Sequence, residues 1–414
     1  MKIFKFGGAS VKDADSVRNV ASVLRKFSGE RIIVVVSAMG KVTNLLETLV
    51  DAHCLKTGDP NAILEQIKKY HLDIVKNLFP NSAHPVYADI QAIFSKLEKF
   101  SSAGQYNKDY DQVVSQGETI SSKIVSAFLN EAGVKNTWLD VRGVIKTDDT
   151  YREGRVDWDR TAGLTPTLSK GEGIVVTQGF LGQAKDGSTT TLGREGSDYT
   201  AAILAYSTNA ESVTIWKDVP GVMNADPKWF DETKLIEHMS YQDAIELSYY
   251  GATVIHPKTI KPLQNKKIPL YVRSFVQPDE KGTLINDQKS QLPIPCFIFK
   301  VEQILLSISP KDFSFIVEEN FSDIFKTFAQ HNVKINVMQN SAISFSVCTD
   351  NDPRKIPALI ETLQKKFRVL YNEGLELITI RYYNQATIDR VCIGKKVFLE
   401  HKSRYTVQLV VKNR

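Results

Sequence analysis

Residues 189–203, TTTLGREGSDYTAAI, place an arginine, two acids and several hydroxyls between glycines at the mouth of a segment with helical character. A stretch that only had to turn would not need them. Arg194 offers a planar fork that fits a carboxylate. Ser197 and Asp198 open the helical segment, whose positive dipole end suits a phosphate or carboxylate. Gly193 and Gly196 remove the Cβ atoms that would block a close approach. The threonines 189–191 read more simply as strand and turn hydroxyls.

Four other loops have the same flavour. Lys5-Phe6-Gly7-Gly8-Ala9-Ser10 ends an apolar run, so backbone N–H groups can approach an anion while the lysine supplies a point charge. VVSAMGKVTN (35–44) repeats the arrangement with Ser37, Gly40 and Thr43, although Thr43 also reads as an N-cap in a plain strand-to-helix turn. SQGETISSKI (115–124) puts Glu118 after Gly117 in a helical context, where its carboxylate could bind a substrate ammonium or simply cap or pair on the surface. WKDVPGVMNADPKW (216–229) leaves a strand with Lys217, Asp218 and a Pro-Gly-Val turn, and Lys228 follows; such a loop suits a nucleotide.

The chemistry narrows by what is missing. There is no GxxxxGK[ST], no HRD or DFG and no GxSxG, and only His256 of the seven histidines lies near these loops. A reaction that phosphorylates a carboxylate needs no strong base, because an acceptor of pKa about 4 is already ionised at pH 7. It needs lysines, amide dipoles and Mg²⁺ to offset repulsion between two anions and hold them in line.

The elements that must position these loops are legible. KIFKF (2–6) and RIIVVV (31–36) read as buried strands, with Val17, Val20, Val23, Leu24 and Phe27 at helical spacing between them. Residues 41–132 read as largely helical, broken at TGDPN, FPNSAHP and SAGQY. Strand signals return at 173–182, 212–219 and 268–274. The alternation predicts an α/β fold with an open, mostly parallel sheet and helices on both faces, and in such a sheet the five loops converge at one edge. QPDEKGTLINDQKSQLPIP (277–295) concentrates linker residues, which puts a domain boundary near 292. Beyond it, strands at 304–310, 342–349, 376–383 and 406–412 with helical patterns at 320–332 and 353–366 predict a small α+β, βαββαβ-like module.

Composition is that of a globular protein: 414 residues, 42% hydrophobic, 24% charged, net charge +5. The surplus is spread out, without the basic stripe of a nucleic-acid binder. Four scattered cysteines and no CxxC fit a reduced cytosolic protein without structural zinc. No apolar run approaches the roughly 18 residues of a membrane span, and the N-terminus has no signal-peptide core. A soluble, cytoplasmic protein is expected.

With KFGGAS, VVSAMGKVTN, SQGE, VVTQGFLG, TTTLGREGSDYTAA and WKDVPGV…DP in this order, the chain resembles the aspartate kinases (aspartokinases) of the amino acid kinase superfamily over nearly all of residues 1–290. Its last third is similar, more loosely, to that family's tandem ACT regulatory region. The resemblance implies an amino acid kinase catalytic domain over 1–292 and an ACT-like regulatory and dimerising region over 293–414. The implied reaction is ATP plus L-aspartate to ADP plus 4-phospho-L-aspartate, the entry to lysine, threonine and methionine and, in bacteria, diaminopimelate. It also implies ATP and Mg²⁺ as cofactors and a homodimer. Lys5 looks like the phosphate-binding lysine, with Gly7, Gly8 and Ser10 around the transferring phosphoryl. Ser37, Thr43, Glu118, Arg194 and Ser197 correspond to the aspartate-binding set. Ser197 and Asp198 open the helix at the phosphates and Mg²⁺. Lys217, Asp218, Val222, Asp226 and Lys228 fall in the nucleotide loop.

The departures from the family pattern matter. Ala9 replaces a threonine, Glu195 replaces a glycine of GRGGSD, and Thr253 replaces a lysine near the phosphates. Lys217 stands where a threonine is usual, so Lys217, or alternatively Lys258, is expected to restore the missing charge. Asn320 and Asn336 stand where lysine-sensitive relatives have a glycine and an acid, which predicts weakened capture of a lysine effector. The segment 384–414 reads as short for a second ACT unit, with one helix not evident. Two competing readings stand beside this one: a sister kinase acting on glutamate, N-acetylglutamate or carbamate, and a catalytically silent amino-acid sensor on the same scaffold.

Overall fold

The computed structural model describes all residues except 166–167, 169–172, 231, 253–254, 290–293 and 313. Two compact units emerge. The first comprises Met1–Val222, Leu235–Ile245 and Val254–Ser290, and the second Met223–Lys234, Glu246–Thr253 and Gln291–Arg414. The units are therefore not consecutive in sequence, since two short segments before residue 254 belong to the second. Residue 292, the expected boundary, lies outside the described residues, as does Thr253.

The first unit is built on an eight-stranded sheet: β1 (Lys2–Phe6), β2 (Ile32–Val36), β3 (Asn136–Leu139), β4 (Ile174–Gln178), β7 (Ser212–Lys217), β8 (His238–Ser240), β9 (Leu270–Ser274) and β10 (Thr283–Asn286). Their spatial order is β3-β4-β2-β1-β7-β9-β10-β8. The six strands from β3 to β9 run parallel, and only β10 opposes its neighbour β9. All five residues of β2 are buried, as expected of a strand covered on both faces. Because the strands are parallel, the loops after β1, β2, β4 and β7 emerge at one edge. The 173–182 run is two strands rather than one. It breaks at Gly179-Phe180, and β5 (Leu181–Gln183) then pairs antiparallel with β6 (Thr189–Thr191) as a separate ribbon.

The helices start where the sequence punctuates them. α1 (Ala14–Arg25) is capped by Asp13, whose carboxylate accepts from the Ser16 N–H at 2.8 Å, and it buries Val17, Val20, Val23 and Leu24. α2 (Val42–Cys54) is followed by α3 (Pro60–Leu78) and α4 (Pro85–Glu98), each with proline in its first turn. α5 (Tyr106–Glu131) runs twenty-six residues and buries sixteen of them, so it is the central pillar of the unit. α6 (Trp158–Leu164), α7 (Gly196–Thr208), α8 (Tyr241–Tyr250) and α9 (Pro257–Lys266) complete the set up to residue 266 among the described residues.

The second unit carries a six-stranded sheet of β11 (Cys296–Pro310), β12 (Ile335–Asn340), β13 (Phe345–Asp350), β14 (Phe367–Arg381), β15 (Lys395–Lys402) and β16 (Thr406–Asn413), ordered β12-β13-β11-β14-β16-β15. With α10 (Glu318–Gln330) and α11 (Ile356–Gln364), the chain from the second half of β11 to the first half of β14 has the expected β-α-β-β-α-β order. β11 and β14 are twice the expected length. A register shift around Lys300–Gln303, with Glu302 in the left-handed region (φ +52°), lets each strand serve both halves of the sheet. The segment after 384 is short, with a single helix among the described residues, α12 (Gln385–Cys392), capped by Asn384, and two further strands.

Candidate active site

One cavity of about 940 Å³ opens at the sheet edge of the first unit, where the parallel strands end. Lys5 leaves β1 and folds back over Gly7, so a Cβ on that glycine would lie 3.3 Å from its Nζ. The ammonium sits 2.6 Å from Asp198 Oδ1 in the first turn of α7, and both side chains are nearly buried. The two charges thus form a close, buried ion pair. The glycines after β1 and β2 interlock: the Gly40 N–H donates to the Gly8 carbonyl at 3.0 Å. A Cβ on Gly8 would meet the Ala38 and Gly40 carbonyl oxygens at 2.8 Å, so only glycine fits.

Glu118 reaches the same floor from α5. It is fully enclosed, with one oxygen accepting from the Ala38 N–H at 3.3 Å and the other without a partner. Burial pushes its pKa up to about 8, against the pull of the Ala38 N–H and of Lys5. A buried carboxyl with a spare oxygen is a receptor for a cation.

Ser37, Thr43, Arg194 and Ser197 also border the cavity, as does Lys217 at the end of β7. Arg194 is exposed and has no salt bridge among the described residues. Thr43 lies inside the first turn of α2, and the N-cap position belongs to Lys41. The GFLG motif serves packing. A Cβ on Gly179 would lie 2.5 Å from the Ser197 side chain, and the Phe180 N–H donates to Thr200 Oγ1 at 2.8 Å. The motif thereby seats the N-terminus of α7 against the end of β4.

Other expected site residues do not line the cavity. The Ser10 hydroxyl is buried and donates to the Trp216 carbonyl. Val222 is buried, with its N–H bonded to Thr283 and its carbonyl to Ile236. Asp218 is exposed on the loop after β7. Asp226 and Lys228 belong to the second unit, where the Asp226 carboxylate accepts from the Lys228 N–H at 2.9 Å. Lys258 donates to the Leu192 carbonyl, so of the two lysines weighed against Thr253 it is Lys217 that borders the cavity. Glu195 is half-buried and borders the cavity. Its carboxylate accepts from the His256 N–H at 3.0 Å at the start of α9, where a helix dipole favours an anion.

Sequence reasoning missed one wall of the cavity: Glu47, Tyr110 and the 150–153 turn with Arg152. The threonines 189–191 keep their plain role, for Thr190 pairs with Thr147 and Thr191 with Asp111.

Comparison with known proteins agrees with this geometry. The amino acid kinase family model matches residues 1–274. Lysine-sensitive aspartokinase 3 of Escherichia coli is 31% identical over 96% of this chain and 90% of its own length. The crystal structure of E. coli aspartokinase III with aspartate and ADP superposes with a TM-score of 0.79 at 27% identity, covering 99% of this chain and 96% of that one. The aspartate kinase of Clostridium acetobutylicum shares the fold, with a TM-score of 0.82 at 21% identity over 100% and 96% of the two chains. The chain therefore belongs to the amino acid kinase family and, within it, to the aspartokinases.

Proposed function

We propose that the cavity binds L-aspartate and ATP together and moves the γ-phosphoryl group onto the aspartate side-chain carboxylate. One phosphorus–oxygen bond to the β-phosphate breaks, its electron pair leaves with ADP, and one bond to the carboxylate oxygen forms. The acceptor is already anionic, so no proton has to be removed. What the site must supply is electrostatic: Lys5 screens the two anions, and the N–H groups opening α7 face the phosphates. Glu118 takes the substrate ammonium and Arg194 its α-carboxylate, with Ser37, Thr43 and Ser197 as neutral donors. Lys217 supplies the further positive charge that the loop after β7 needs.

The donor set fits Mg²⁺ carried by the nucleotide. The described residues hold no cluster of three or more metal-ligating side chains, and Asp198, ion-paired with Lys5 through Oδ1, would lend a carboxylate to the ion. When bound, the ion would neutralise phosphate charge. A cytoplasmic homodimer, joined through the second unit, completes the reading; no helix among the described residues is long and apolar enough to cross a membrane.

The observation that carries the proposal is the convergence of Lys5, Asp198 and Glu118, all buried, on one cavity. Trapping acyl phosphate with hydroxylamine tests it. Hydroxamate is expected with aspartate and not with glutamate, N-acetylglutamate or carbamate, and Lys5→Ala should lower the rate at least 100-fold. No product with any acceptor would support the silent sensor instead.

A further inference from the structure

Arg152 is conspicuous for its backbone. Its φ of +68° lies in the left-handed region, which a long side chain seldom occupies and which clusters at functional sites. Asp111, buried in α5, holds it there. The Asp111 carboxylate accepts the Arg152 N–H at 3.0 Å together with the Thr191 N–H at 2.9 Å and the Thr191 hydroxyl at 2.7 Å. One carboxylate thus ties the 150–153 turn to the strand that leads directly into Arg194. The two turns touch, since a Cβ on Gly193 would lie 3.3 Å from the Arg152 carbonyl oxygen. The guanidinium is stacked on the Tyr110 ring at 4.2 Å, which fixes its plane and leaves its edge donors available. Among the described residues its only ion-pair partner is Glu47, at 3.1 Å, and both side chains are more than a third exposed at the cavity wall.

We propose that Arg152 is a second carboxylate-recognising cation of the acceptor site, and that Glu47 occupies its fork until the substrate's α-carboxylate displaces it. This rests on the aspartate reading above and adds a specificity-determining residue to it. A half-exposed ion pair stores little energy, so exchanging Glu47 for a substrate carboxylate held also by Arg194 costs little. Asp111 is the positioning residue, since it fixes the roots of both arginines.

Steady-state kinetics on three variants of the full chain test the idea. Arg152→Gly removes the cation and suits the left-handed backbone, so its melting temperature should be equal or higher. Its KM for aspartate should rise about tenfold or more while the KM for ATP stays within twofold. Arg152→Lys keeps the charge without the fork and should fall between; it serves as the readout if Arg152→Gly fails to fold. Glu47→Gln should leave the KM for aspartate unchanged or lower it. An Arg152 variant with an unmoved aspartate KM, or a Glu47→Gln that raises it as Arg152→Gly does, would mean a merely structural pair and overturn the proposal. A wild-type chain inactive on aspartate would instead sink the parent reading, and this inference with it.

Discussion

At the scale of single residues the site is governed by which charges are buried. Glu118 binds an ammonium only when ionised, yet burial holds its pKa at about 8 in the free protein. The profile of kcat/KM reports groups of the free enzyme, so its value for aspartate should fall about tenfold per pH unit below pH 8. The kcat at saturating aspartate should vary far less, because a bound ammonium replaces lost solvation and keeps the carboxylate charged. Glu118→Gln should raise the KM for aspartate and flatten that limb. A wild-type limb centred near pH 4.5 would show instead that water reaches the carboxyl and that the enclosure is wrong. Glu195 illustrates the opposite case. An acid beside an anion site looks hostile in the sequence, but the start of α9 accepts it, and that helix terminus is invisible until the chain folds.

At the scale of elements, α3 carries a titrating group that no chemistry uses. His71 is fully buried, with Nδ1 2.8 Å from the Ile67 carbonyl oxygen, and burial pushes its pKa down to about 4. The sign follows from linkage. A depressed folded pKa gives stability that is complete above the unfolded value of 6.5 and is lost as pH falls through 4. The loss is about 3 kcal/mol over that window. Neutral Glu118 runs the other way, its contribution being complete below pH 4.5 and lost as pH rises through 8. Comparing urea midpoints of the wild type and His71→Leu between pH 7 and pH 4.5 isolates the histidine. The wild type should lose stability relative to the variant as pH falls, and parallel curves would contradict the buried neutral ring.

At the scale of the molecule, legibility tracked burial. β1, β2 and the helical run from 41 to 132 were readable because their apolar periodicity is set by a deep core and their ends by Asp, Pro and Gly. The segments bearing Lys5, Glu118 and Arg194 were readable because glycine and charge co-occur there for few other reasons. The 150–153 turn was not, for it belongs to no periodic element and its anchor, Asp111, is forty residues away. β12 was missed because an edge strand need bury only one side: INVMQN ends in three exposed residues. That edge also bears on assembly. The opposite edge, β15, carries Lys395, Lys396 and Lys402, which discourage pairing, whereas β12 has no charge at all. Around it Phe315, Phe325, Met338 and Ile343 are 71%, 40%, 49% and 49% exposed, and the Ile316 N–H to Ala342 carbonyl bond sets Phe315 and Ile343 side by side. An uncharged edge beside exposed apolar groups suits a second copy of the same surface. Light scattering should therefore give twice the 46.5 kDa chain mass. Met338→Lys combined with Ile343→Asp should shift the protein toward the single-chain mass, whereas a dimer unmoved by both charges would place the interface elsewhere.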